Sequence, residues 1–141
     1  MKAERARLKR LQRLERVRDI ARQTAAAEAA QAEGTLAQLE ALAERTRRLA
    51  ADYATRGGAA DGAALRQLTS FTGGLQKIHA STTSDADRAR LFADGKMAAL
   101  AAAERRRAAV GERAEKQARV IAEGRESPAL GTRKGFGTGL E

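Results

Sequence analysis

From Ala3 to about Tyr53 the chain contains no proline and one glycine, Gly34. That continuity constrains the fold more than any other feature, because Pro and Gly are the residues that most weaken a helix interior. Apolar side chains recur through the stretch at helical spacing: Leu8, Leu11, Leu14, Val17, Ile20, then Leu36, Leu39, Leu42, Leu49 and Tyr53. Ala21, Ala25, Ala29 and Ala32 bridge the two groups. Spacings of three and four draw one stripe along a helix, with Arg, Gln and Glu on the other faces. A helix of about 50 residues is about 75 Å long. No globular domain of 141 residues wraps it, so it must pair along its length.

Composition supports the same conclusion. Alanine fills 34 positions, while there is no Trp, one Tyr and three Phe. Bulky side chains supply most of the area that a three-layer core buries. Alanine favours helix and lets two helices approach closely. The expected class is therefore all-α, an antiparallel two-arm helical hairpin (a coiled coil).

The arms are read from the turn signals. Arg56-Gly57-Gly58-Ala59-Ala60-Asp61-Gly62 is the strongest of these and divides arm one, 3–55, from arm two, 63–126, within a single hairpin spanning 1–128. Arm two carries Leu65, Leu68, Phe71, Leu75 and Ile78, then Leu91, Phe92, Leu100, Val110, Val120 and Ile121. The second arm is expected to be interrupted near 80–84, at Ser81-Thr82-Thr83-Ser84, where Ser84 with Asp87 resembles a capping box. Gly124 and Ser127-Pro128 are read as its end. Residues 129–141 hold four Gly without periodicity and are read as a disordered, flexible C-terminal tail. Folding at Ala59 pairs residues whose numbers total about 118, sets Gly34 beside Ser84, and divides the hairpin into a Leu-rich tip and an Ala-rich basic base. One a/d frame through Leu11, Leu14, Leu39, Leu42 and Leu49 also takes in Arg18 and Glu28, so the seam is expected to be an imperfect heptad.

Several kinds of chemistry are excluded. The chain has no Cys and one His, His79, so it offers no disulfide, thiol nucleophile or His/Cys metal site. His79 is expected on a solvent- or partner-facing helix surface. No phosphate-binding GxxxxGK[ST] loop occurs, and Gly135-Phe136-Gly137-Thr138-Gly139 has neither a strand before it nor a helix after it. The expectation is a non-enzyme without cofactor. No apolar run reaches the roughly 20 residues that span a bilayer. The N-terminal residues are charged throughout, unlike a secretory signal. A soluble, cytoplasmic protein is expected.

The net charge of +9 points to acidic partners, and its distribution is uneven. Residues 1–22 hold nine Lys/Arg against three acids. There Arg7, Lys9, Arg10 and Arg13 flank Leu8, Leu11 and Leu14 as a basic amphipathic helix, suited to an acidic protein groove, a membrane surface or nucleic acid. Arg105-Arg106-Arg107 adds a second basic run among Glu104, Glu112 and Glu115. Residues 1–52 hold no aromatic side chain, which leaves non-specific phosphate binding open but not sequence readout. Phe71, Leu75 and Ile78 form an i, i+4, i+7 stripe suited either to packing against the tip of arm one, around Leu42 and Leu49, or to docking a partner.

The run KRLQRLERVRDIARQTAAAEA, with Leu8-x-x-Leu11-x-x-Leu14, followed by Leu36-x-x-Leu39-x-x-Leu42 and AERTRRLAADYA, resembles the FliJ/YscO family of type III export proteins. The resemblance covers residues 3 to about 126. It implies an antiparallel hairpin similar to the central stalk of rotary ATPases. It implies a non-enzymatic stalk or adaptor of a flagellar or virulence export apparatus, at the inner face of the membrane. Its partners are then the hexameric export ATPase, the export-gate protein FlhA and export chaperones. Carried over, Arg5, Arg7, Lys9, Arg10, Arg13 and Arg16 contact the ATPase ring, with the Val120–Ile121 end beside them, and Phe71, Leu75 and Ile78 contact the gate. The Gly57–Gly62 loop, Gly73-Gly74 and the Gly-rich tail depart from the family pattern. Two other readings of the residues stand beside this one: a basic coiled coil binding nucleic acid non-specifically, and a structural coiled coil that oligomerises.

Overall fold

Asp61 begins the second half of the fold. Its Oδ1 accepts a hydrogen bond from the backbone N–H of Ala64 at 2.7 Å, and its carbonyl accepts from Leu65 N–H at 3.1 Å. This N-cap satisfies donors that a helix otherwise leaves open. The computed structural model describes residues 1–56 and 61–133, the last seven of these by backbone alone. It contains two helices, α1 (Lys2–Thr55) and α2 (Gly62–Arg133). They pack against each other as an antiparallel helical hairpin, and the described residues include no strand.

The chain divides into two compact units, a terminal unit of Met1–Ala25 with Leu100–Glu141 and a central unit of Ala26–Ala99. In the central unit the buried and half-buried positions of α1 include Ala29, Ala32, Leu36, Leu39, Ala43, Thr46, Ala50 and Tyr53. Those of α2 include Leu68, Thr72, Leu75, His79, Thr82, Ala86, Ala89, Ala93 and Lys96. Both series alternate steps of three and four, the seam of a coiled coil. Ala32, Leu36 and Ala93 form its core, with Ala89 packed on it. Ala93 is fully buried, so the helices are close enough there that a methyl group fills the gap. The ring of Phe71 meets Tyr53 edge-on, centroids 4.8 Å apart.

The terminal unit continues the same 3–4 spacing with different chemistry. Glu4, Leu8, Leu11, Glu15, Arg18, Arg22 and Ala25 line the seam on α1. Opposite them run Leu100, Ala103, Arg107, Val110, Ala114, Gln117 and Ile121 on α2. Gln117 Nε2 donates to the carbonyl of Glu4 at 3.3 Å, and Arg107 Nε lies 2.9 Å from Asp19.

Several expectations need correction. α2 is not interrupted near 80–84: Ser81 to Ser84 are helical, Thr82 is buried at the seam, and the Ser84 capping box is not formed. Packing at Thr82 and Ala86 outweighs the weak helix preference of Ser and Thr. The helix also passes the expected end at 126 and reaches Arg133, although a proline such as Pro128 removes a backbone hydrogen bond and crowds the carbonyl four residues before it. The expected tail is thus helical from 129 to 133, and 134–141 lie outside the described residues, as does the turn segment 57–60. The pairing register is offset. Met1 lies on Gly124 rather than opposite residue 117, and Tyr53 meets Phe71 rather than residue 65. That offset is about two helical turns, set by which side chains interlock and not by the midpoint of the glycines. The boundary between units falls at Ala25/Ala26 and Ala99/Leu100, not at Gly34 and Ser84.

The seam is an imperfect heptad, as expected, with Arg18 in it, but Glu28 stands outside and one of its two columns differs. Leu11 and Leu39 belong to it, but their companions are Leu8, Glu15, Leu36 and Ala43. Leu14, Leu42 and Leu49 fall one position outside and remain exposed.

Candidate functional site

With the seam at heptad positions a and d, the flanking e positions of two antiparallel helices share one side and the g positions the other. In the central unit the two sides differ sharply. On the e side, Glu40 and Arg90 form an ion pair across the helices. Beside it Glu44 accepts hydrogen bonds from Arg47 at 2.8 Å and Arg48 at 3.1 Å. These two guanidiniums hold the Glu44 carboxyl down at about 2, far below its ordinary 4.5. His79 Nδ1 lies 3.0 Å from the carbonyl of Ala43. A carbonyl only accepts, so Nδ1 carries the proton. His79 is therefore a half-buried seam residue, not the solvent- or partner-facing one expected.

The g side of the central unit carries an apolar stretch. Leu42 and Leu49 on α1, and Phe71 and Ile78 on α2, are each 41–53% exposed. Ile78 and Leu42 precede His79 and Ala43, which touch, so they stand side by side across the seam. The expected stripe of Phe71, Leu75 and Ile78 is therefore split. Leu75 is buried in the seam, while Phe71 and Ile78 join the two leucines of α1. Further along the same side Lys96 reaches Glu28 at 3.1 Å and lies 5.3 Å over the Phe92 ring.

In the terminal unit Arg5, Arg7, Lys9, Arg10, Arg13 and Arg16 are all exposed, and none forms an ion pair with another described residue. The helix does not gather them on one face. Arg7 and Arg10 stand on the g side, Arg5, Lys9 and Arg16 on the e side, and Arg13 on the outermost line between. The triple arginine is likewise divided: Arg107 turns to Asp19 in the seam, Arg106 stands on the g side and Arg105 points outward. Val120 is exposed on the g side and Ile121 is buried.

Sequence reasoning set Phe71 against Leu42 and Leu49 but missed that all three stay exposed on one side of the seam, and it missed Arg106, Arg113 and Lys116 as neighbours of Arg7 and Arg10. The signal that finds them is the one-residue difference between the leucine stripe and the alanine-containing column that is buried. Among the described residues no group of His, Asp and Glu converges as metal ligands, and no helix is long and apolar enough to cross a membrane. Compared with family models, curated proteins and solved structures, the chain matches none.

Proposed function

We propose that the chain is a non-enzymatic stalk or adaptor of a type III protein export apparatus, acting in the cytoplasm at the inner face of the membrane. The observation that carries the reading is the terminal unit. It pairs the first 25 residues antiparallel with the segment from Leu100 and leaves Arg5, Arg7, Lys9, Arg10, Arg13 and Arg16 exposed around α1. Cations distributed around a helix suit many weak, similar contacts with acidic surfaces of a hexameric ring. A single tight contact would stop one subunit turning against another. Such exposed charges speed and orient docking, and salt screens them. The resemblance to the FliJ/YscO family supplies the partners: the export ATPase, the export-gate protein FlhA, and export chaperones. The apolar side formed by Phe71, Ile78, Leu42 and Leu49 is the better gate contact, because Leu75 is committed to the seam.

The test is capture of the full chain on the hexameric export ATPase, with DNA cellulose as a parallel bait at low and moderate salt. Saturable capture with stimulated ATP hydrolysis is expected, and Arg10→Glu with Arg13→Glu should weaken it about tenfold. Salt-sensitive retention on DNA alone, with no capture by the ATPase, overturns the reading in favour of non-specific nucleic-acid binding.

A further inference from the structure

The two sides of the terminal unit carry unlike surfaces. The g and c positions of α1 hold Arg7, Arg10, Leu14 and Val17, and those of α2 hold Arg106, Arg113, Lys116 and Val120. One carboxylate, Glu123, stands at the end of this face. Leu14, Val17 and Val120 are 38%, 60% and 46% exposed, whereas the exposed Ile20 lies on the outer line beside Gln12, Arg16 and Asp19 of the other side. On the opposite side Lys2, Arg5, Lys9, Arg16 and Arg125 are mixed with Asp19, Glu104 and Glu115, and apart from Ile20 at its edge no aliphatic larger than Ala is exposed there.

We propose that the face built by Arg7, Arg10, Arg106, Arg113 and Lys116 around Leu14, Val17 and Val120 binds the surface of an anionic lipid bilayer. Charge complementarity selects an anionic partner, with five cations against one carboxylate. The interleaved aliphatics choose among anionic partners. Arginines reach phosphate headgroups while Leu14, Val17 and Val120 enter the boundary between headgroups and acyl chains, so both kinds of side chain are used. Nucleic acid would engage the arginines and leave the aliphatics in water. It would also find no stacking platform, since the described aromatics Tyr53, Phe71 and Phe92 all belong to the central unit. The face holds the chain against the bilayer by charge and shallow insertion together, without spanning it. This goes beyond the export reading and does not depend on it.

The experiment is sedimentation of the full chain with phosphatidylcholine vesicles, with and without phosphatidylglycerol. Binding is expected only where phosphatidylglycerol is present. Arg106→Glu with Arg113→Glu should weaken it about tenfold or more; the Gln pair at the same positions provides a milder second variant. Arg5→Glu with Arg16→Glu, on the other side, should weaken it much less. Val17→Asn with Val120→Asn keeps the charge and should abolish only the binding that survives high salt. Circular dichroism checks that each variant keeps its helix. Absence of binding to phosphatidylglycerol vesicles, equal losses from the two sides, or complete displacement of the vesicles by a DNA duplex overturns the proposal. No export ATPase is present, so failure here leaves the ring-binding reading untouched.

Discussion

The central and terminal units share one heptad spacing and fill it differently. The central seam is alanine and leucine with Thr46, Tyr53, Thr72, His79 and Thr82, and its one cation, Lys96, escapes to the edge and reaches Glu28 at 3.1 Å. The terminal seam carries Glu4, Glu15, Arg18, Arg22 and Arg107. Asp19 meets both Arg22 and Arg107, but Arg18 Nε is buried with no hydrogen-bond partner among the described residues. An apolar seam fixes register by interlocking shapes, whereas buried charges stabilise little even when paired and cost free energy when left over. The difference assigns the units separate parts. On that ground the central unit is expected to hold the hairpin together, and the terminal unit is expected to repack at smaller cost.

The largest expected effect tests that assignment directly. Leu36→Ala removes a buried side chain from the central core and should lower unfolding free energy by about 2–5 kcal/mol. Leu11→Ala, at a half-buried position of the terminal seam, should cost clearly less. Urea titrations followed by circular dichroism measure both. Equal losses would mean that the terminal unit is as tightly packed as the central one, and the contrast would fail.

Much of this was legible in the sequence because helix formation here is a property of long uninterrupted segments. The absence of proline before Pro128, the alanine content and the glycine cluster at 57–62 imply two helices and a reversal, and α1 ends at Thr55 where the turn signal starts. Register and sidedness were less legible. Leucine spacing alone cannot distinguish the buried column from its neighbour one residue away, and the chain buries Ala29, Ala32 and Ala86 while exposing Leu14, Leu42 and Leu49. Close helix approach rewards small side chains, and that preference acts between helices rather than along one. The six basic residues Arg5 to Arg16 were readable as exposed cations. That they divide between two sides, one of them shared with Arg106, Arg113 and Lys116, depends on the pairing partner.

A second test sharpens the comparison by making the terminal seam resemble the central one. Arg18→Leu replaces a charge whose Nε has no partner with an apolar side chain at the same seam position. It should stabilise the chain by about 1–2 kcal/mol. Lys96→Leu in the central unit should gain nothing of that kind, because its ammonium already reaches Glu28. A thermal melt of each variant separates the two. If Arg18→Leu destabilises, Arg18 is satisfied in solution and the terminal seam is not the weaker half. A stabilised Arg18→Leu chain that also captures the export ATPase poorly would connect the looseness of this seam to partner binding.

The smallest effect concerns the polar side of the central unit, where charges lie on the surface rather than in the seam. Glu44 is held at about 2 chiefly by its hydrogen bonds to Arg47 and then Arg48, and the same contact raises Arg47. Because the folded carboxyl titrates below its ordinary value, the helix is favoured when Glu44 is ionised. The contribution is complete above about 4.5 and disappears as the pH falls toward 2. Both arginines are three or four residues away on α1, and such exposed pairs are weak and screened by salt. Carboxyl NMR should therefore show Glu44 titrating near 2 at low salt and moving upward as salt is added, with little change in the melting temperature of Glu44→Gln at neutral pH. A midpoint at 4.5 in low salt would show that the arginines do not hold the carboxylate. A large loss of stability in Glu44→Gln would show instead that the polar side shares in holding the central unit together, a role assigned above to the seam alone.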